Sequence, residues 1–122
     1  MNHPVVWFEV LGNDGARLQQ FYKETFGWTM NVDNPMGYAM VEAASKAGIP
    51  GGVGSKFGTF GPWVTFYVES PDLDRSLADA EKHGGKVVSG PQMLPGGTTL
   101  AFFQDPEGHL IGLVKARPAD PQ

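Results

Sequence analysis

Val5-Val6-Trp7-Phe8-Glu9-Val10 and, further along, Trp63-Val64-Thr65-Phe66-Tyr67-Val68 are two aromatic-led stretches of alternating character. Alternation with a period of two is what a half-buried strand requires. Each stretch then leads into a candidate helix after a short link, Asn13-Asp14 in the first case and Pro71-Asp72 in the second. The recurrence predicts one small domain made of two similar halves, with a cleft between them whose chemistry sets the function.

Working outward from the first strand, Val6, Phe8 and Val10 form an aliphatic face that is expected to pack, leaving Trp7, Glu9 and Leu11 on the other. Asn13 or Asp14 can cap a helix carrying Leu18, Phe21 and Tyr22 on one side, and Gly27 can stop it. Trp28 to Val32 then reads as a strand, Asp33-Asn34-Pro35-Met36-Gly37 as a turn, and Tyr38 to Glu42 as the antiparallel return. A short edge strand is expected around Gly51 to Ser55. In the second half Val64, Phe66 and Val68 should pack behind their strand, with Trp63, Thr65 and Tyr67 facing the other way. Pro71-Asp72 opens a helix with Leu73, Leu77 and Ala80 in one stripe, stopped by Gly84-Gly85. Lys86 to Ser89, Thr98 to Phe103 and Leu110 to Lys115 complete the strands, joined by a Gly90 to Gly97 segment and the turn Asp105-Pro106-Glu107-Gly108.

The 122 residues, 41% of them hydrophobic, suit one compact domain. Nine basic against thirteen acidic residues give a formal charge of -4, and no basic track is present, which argues against nucleic acid as a partner. With no cysteine, disulfides, thiolate ligands and cysteine nucleophiles are excluded. No stretch has the length and apolarity of a membrane span or a leader, so a cytoplasmic protein that does not associate with membranes is expected.

Trp7-Phe8-Glu9-Val10 followed by Asp14, then Phe21-Tyr22, Phe26-Gly27-Trp28 and the run from Phe102 to His109, carry a resemblance over nearly the whole chain. The sequence resembles the glyoxalase, bleomycin-resistance and dihydroxybiphenyl-dioxygenase group, the vicinal oxygen chelate superfamily, and fits most closely its lactoylglutathione-lyase-related branch. The resemblance implies an α+β fold of two βαβββ modules, residues 1–58 and 59–122, whose mixed sheet curls around a cleft. It also implies a homodimer. In metal-dependent members the ligand positions would fall on Trp7, Trp63 and Gly112. An indole N–H can only donate and glycine has no side chain, so those positions bind no metal here. His3, His83 and His109 lack ligand-like spacing and read as surface or turn groups. No cofactor is implied.

Glu9 is the most informative polar residue. Facing the cleft between Trp7 and Leu11, it is either a proton-transfer base or a structural or ligand-binding carboxylate satisfied by backbone donors, Thr65 or Tyr67. Trp7, Trp63 and Tyr67 offer stacking surfaces for a flat organic ligand whose polar edge Glu9 and Thr65 would fix. Alternatively the same aromatics fill the sheet or a dimer contact. Trp28 and Tyr38 extend the wall, and Phe57 and Phe60 form either a linker or a lid. Gly51-Gly52-Val53-Gly54 lacks the lysine and spacing of a phosphate loop. Arg17 and Arg75 read as surface cations, and Asp105 as a turn-shaping residue. The leading expectation is a metal-free binder of a small, partly aromatic metabolite or natural product. The alternatives are a lyase or isomerase using Glu9 as general base, and an interaction protein whose aromatic cleft is occluded.

Overall fold

The computed structural model describes residues 2–116 and has two compact units. One is Val6–Phe66; the other joins Tyr67 onward to the first residues of the chain, through Val5. Ten elements run β1 (Val5–Gly12), α1 (Gly15–Phe26), β2 (Met30–Asn31), β3 (Ala39–Val41), β4 (Gly51–Ser55), β5 (Trp63–Ser70), α2 (Leu73–Lys82), β6 (Lys86–Met93), β7 (Thr99–Gln104) and β8 (Leu110–Lys115). The boundary between the units falls inside β5. Parallel and antiparallel pairs both occur, so the class is α+β with mixed strand pairing, as expected.

In the Val6–Phe66 unit, β4 pairs parallel with β1 and antiparallel with β3, which in turn carries β2. Gly51 to Ser55 is therefore an interior strand here, not an edge strand. Its glycines explain why: a Cβ on Gly51 would collide with the Phe8 ring and one on Gly52 with the Tyr38 ring and hydroxyl. The bare backbone lets large rings lie flat over the strand on both sides. Helix α1 begins at Asp14, whose carboxylate accepts the Arg17 N–H, and ends at Gly27 in the left-handed region at φ 71. It docks on β4 through polar contacts: the Gly15 N–H donates to Ser55 Oγ at 2.7 Å, and Gln19 Nε2 donates to the carbonyls of Val53 and Gly37. The docking face is thus Gly15, Leu18, Gln19 and Tyr22, and Phe21, expected to pack, is 56% exposed. The strand expected from Trp28 to Val32 shortens to Met30–Asn31, because Asn31 and Val32 are already engaged in the following turn, accepting from Asp33 and Asn34.

In the other unit β8 runs between a parallel β5 and an antiparallel β7, with β6 beyond β7. Asp72 caps α2 by accepting the Arg75 N–H, and Leu73 and Leu77 bury against Ala101 and Leu113. The Gly90 to Gly97 segment is not wholly a linker: β6 continues to Met93 through two register shifts that accommodate Pro91 on a strand with one partner. Asp105 shapes its turn as expected, its carboxylate accepting the backbone N–H groups of Glu107 and His109 at 2.9 Å.

In β5 the faces reverse the expectation, and in β1 the face expected to pack is half-buried while Glu9 and Leu11 on the other are the more deeply buried. Glu9 and Leu11 are buried at 7% and 3%, and Thr65 and Tyr67 at 7% and 3%, whereas Val64 is 77% exposed and Phe66 40%. The aliphatic side of β5 is covered only where Val68 joins the Leu73–Leu77 cluster. Alternation fixes the period of a strand; which face is covered depends on what packs there.

Candidate functional site

Glu9 points from the middle of β1 into a set of aromatic donors within its own unit. Trp63 Nε1 donates to its Oε1 at 2.7 Å, and the Tyr38 hydroxyl donates to its Oε2 at 2.8 Å. Trp7 Nε1 donates in turn to the Tyr38 oxygen at 3.0 Å. The partners sit 29 and 54 residues from Glu9 in sequence. Both carboxylate oxygens are thus fixed by donors with no freedom to reverse roles, since an indole N–H never accepts.

Tyr38 is positioned by the turn before it. Asn34 accepts the Tyr38 N–H through Oδ1 and donates through Nδ2 to the Tyr38 carbonyl, while the ring lies over Gly52 and Gly54. Burial first, and the Glu9 charge second, hold the Tyr38 hydroxyl far above the ordinary tyrosine range, outweighing the opposing effect of the Trp7 N–H. Tyr38 therefore remains a neutral donor throughout the physiological range.

The arrangement brings together Trp7, Glu9, Tyr38 and Trp63 of the residues expected at the site. Thr65 is buried on the Trp63 side of β5 and its hydroxyl reaches the Phe66 carbonyl at 3.3 Å. Tyr67 belongs to the other unit, where its ring meets Phe102 edge-on at 5.7 Å. Trp28 stands elsewhere: it stacks on Tyr22 at 5.1 Å and on Phe26 at 5.6 Å and tilts against Phe8, whose side chain leaves β1 on the face opposite Glu9. Phe57 and Phe60 exchange backbone hydrogen bonds and stack at 4.9 Å, and Phe60 meets the Trp63 ring edge-on at 5.8 Å. Tyr38 and Trp63 are partners of Glu9 beyond the Thr65, Tyr67 or backbone groups offered by sequence reasoning. It named Tyr38 and Trp63 only as walls, and the signal that could have tied Tyr38 inward was the glycine run of β4.

The metal-ligand positions implied by the resemblance do not fit a cation. Trp7 and Trp63 use their only side-chain polar atom to donate. At the third position a Cβ on Gly112 would stand 2.5 Å from Tyr67 Cδ2, so the Tyr67 ring occupies the space a ligand side chain would need. Among the described residues no group of three or more His, Cys, Asp or Glu converges. His109 is fixed by Asp105 through Nδ1 at 3.0 Å, on the surface. Asp105 lies below the usual carboxylate range, chiefly because the His109 N–H bonds to it. No helix among the described residues is long and apolar enough to cross a membrane.

Residues 5–44 match the family described as bleomycin resistance protein-like N-terminal. No curated protein matches the sequence. Among solved structures, a glyoxalase/bleomycin resistance protein/dioxygenase superfamily member from Vibrio splendidus 12B01 is similar with a TM-score of 0.64 at 14% identity, covering 94% of this chain and all (100%) of that one. The methylmalonyl-CoA epimerase from Mycobacterium tuberculosis is similar at 0.63 and 16%, covering 93% of this chain and 88% of that one. The Streptomyces coelicolor methylmalonyl-CoA epimerase in complex with 2-nitronate-propionyl-CoA gives 0.64 and 19%, with 97% and 100% covered. At such identities the structures speak to fold, which hosts more than one chemistry. Residues 5–44 thus match a bleomycin resistance protein-like family in sequence, and the fold along the chain is the one seen in the glyoxalase/bleomycin resistance protein/dioxygenase superfamily structure and the methylmalonyl-CoA epimerases.

Proposed function

We propose that the protein binds a small, partly aromatic metabolite or natural product, without a metal centre, on the Trp7–Glu9–Tyr38–Trp63 constellation. One observation carries the reading: the two indoles at implied ligand positions donate toward a tyrosine and a buried carboxylate, so the positions that would hold a cation hold a fixed polar anchor among aromatic rings. Convergent polar groups set in aromatic surface are the composition of small-molecule sites. We further assign the chain to the lactoylglutathione-lyase-related branch, acting in the cytoplasm as a homodimer. Native mass spectrometry with a metabolite panel, with and without added divalent ions, tests the site. Retention of one ligand regardless of ions supports it, and loss of that ligand in Glu9→Gln places it on Glu9. A panel from which nothing is retained overturns the reading.

The second reading, a lyase or isomerase with Glu9 as general base, draws on the epimerases among the fold's neighbours. It requires turnover that disappears in Glu9→Gln while binding persists. Ion-dependent turnover would point to a cation brought by the ligand.

A further inference from the structure

We propose a second small-molecule site, in the other unit, beneath the C-terminal half of α2, taking an organic cation: a primary amine on a small hydrocarbon body. The apolar stripe of α2 starts with Leu73 and Leu77, which fill the core with Ala101 and Leu113. One turn on, the stripe shrinks to Ala80, and the neighbouring Ser76 turns its hydroxyl to Ser70 at 2.7 Å. Gly85 cannot fill the space either, since a Cβ there would stand 2.8 Å from the Gln104 carbonyl oxygen and 3.0 Å from that of Ala80. What remains is a hollow of about 340 Å³ floored by Val68, Phe103 and Leu113. That volume falls at the lower end of small-ligand pockets, roughly 300–1,000 Å³.

The rim selects the charge. Asp79 and Asp105 contribute carboxylates and His3 and His83 imidazoles, and the lining contains no lysine or arginine. The two carboxylates therefore set negative charge over an apolar floor. Asp79 and His83 lie four residues apart on α2, and neither side chain is engaged in a hydrogen bond among the described residues. Asp105, tied to its turn, supplies fixed charge and not a movable acceptor. An ammonium group at the rim meets complementary charge, and a carboxylate of the same shape meets repulsion.

Amide shift mapping on the full chain at pH 8, with 2-phenylethylamine and its acidic counterpart 3-phenylpropionate as probes, tests this. The amine should give saturable shifts confined to the lining and its neighbours, residues 3, 68, 76–85, 103–107 and 113, with the acid binding about tenfold or more weakly. Ala80→Leu fills the hollow and should abolish the shifts, and the exposed Asp79→Asn should weaken the amine by about tenfold. Absence of saturable shifts, equal affinity for acid and amine, shifts elsewhere, or unaltered binding in both variants would overturn the proposal. Because Glu9 and its partners are untouched in both variants, the outcome is independent of the binding reading above.

Discussion

Gly52→Ala is the sharpest perturbation of the Glu9 constellation, because it breaks the arrangement without altering any member of it. Gly52 does not have positive φ, so alanine is acceptable to the backbone; the objection is the Tyr38 ring and hydroxyl lying where the methyl would go. Moving Tyr38 away forfeits its bond to the Glu9 carboxylate and the one it accepts from Trp7. A hydrogen bond to a charged group is worth about 1.5–3 kcal/mol and overpacking costs about 1–3 kcal/mol. These losses overlap, since relieving the overlap breaks the bonds, and the lower unfolded-chain entropy of alanine returns about 0.4–1 kcal/mol. The expected net destabilisation is about 2–4 kcal/mol. Tyr38→Phe alone should cost about 1.5–3 kcal/mol, but once Gly52→Ala has displaced the hydroxyl, it should cost little more. A urea-denaturation double-mutant cycle followed by tryptophan fluorescence should therefore show coupling of about 1–3 kcal/mol. Additive energies, or a Gly52→Ala protein within about 0.5 kcal/mol of the parent, would refute the claim that this glycine makes room for the carboxylate's donor.

Alkaline stability should report on the same hydroxyl. Its ionisation lies above the ordinary value of 10.0 in the folded chain, so above about pH 10 the unfolded chain binds fewer protons, and stability falls by up to about 1.4 kcal/mol per pH unit. Below that pH the contribution is complete, and Tyr38→Phe should have the shallower alkaline limb in pH-dependent urea melts. Asp72→Ala removes the acceptor of the Arg75 N–H and should lower stability by about 0.5–2 kcal/mol in urea unfolding, with Asp72→Asn recovering most of it. Gly112→Glu restores a carboxylate at the implied ligand position, yet it collides with Tyr67. It should lower the melting temperature without gaining stabilisation from added zinc or nickel, and ion-dependent recovery would contradict the fit argument.

The local signals in the sequence were sufficient for the helix caps and the closing turn. Asp14 and Asp72 cap where an acceptor before an apolar stripe should, Gly27 stops α1 with positive φ, and the Asp105–Gly108 turn closes through its own carboxylate. Each depends on neighbours within a few residues, so composition and spacing suffice. The restart of strand and helix at Trp63 likewise made the α+β class, with two helices among mixed strands, legible. The same sequence could not say which side of β5 is covered, because alternation is symmetric about the strand until something packs on one face. It could not pair Glu9 with Tyr38 and Trp63 either, because those contacts span 29 and 54 residues and exist only once β1, β4 and the turn at Asn34 are assembled. Nor could it show that the glycines of β4 serve ring clearance inside a sheet and not the looseness of an edge. Short-range hydrogen bonding wrote the helix caps and the closing turn into the sequence, and long-range packing alone turned one strand carboxylate into a candidate site.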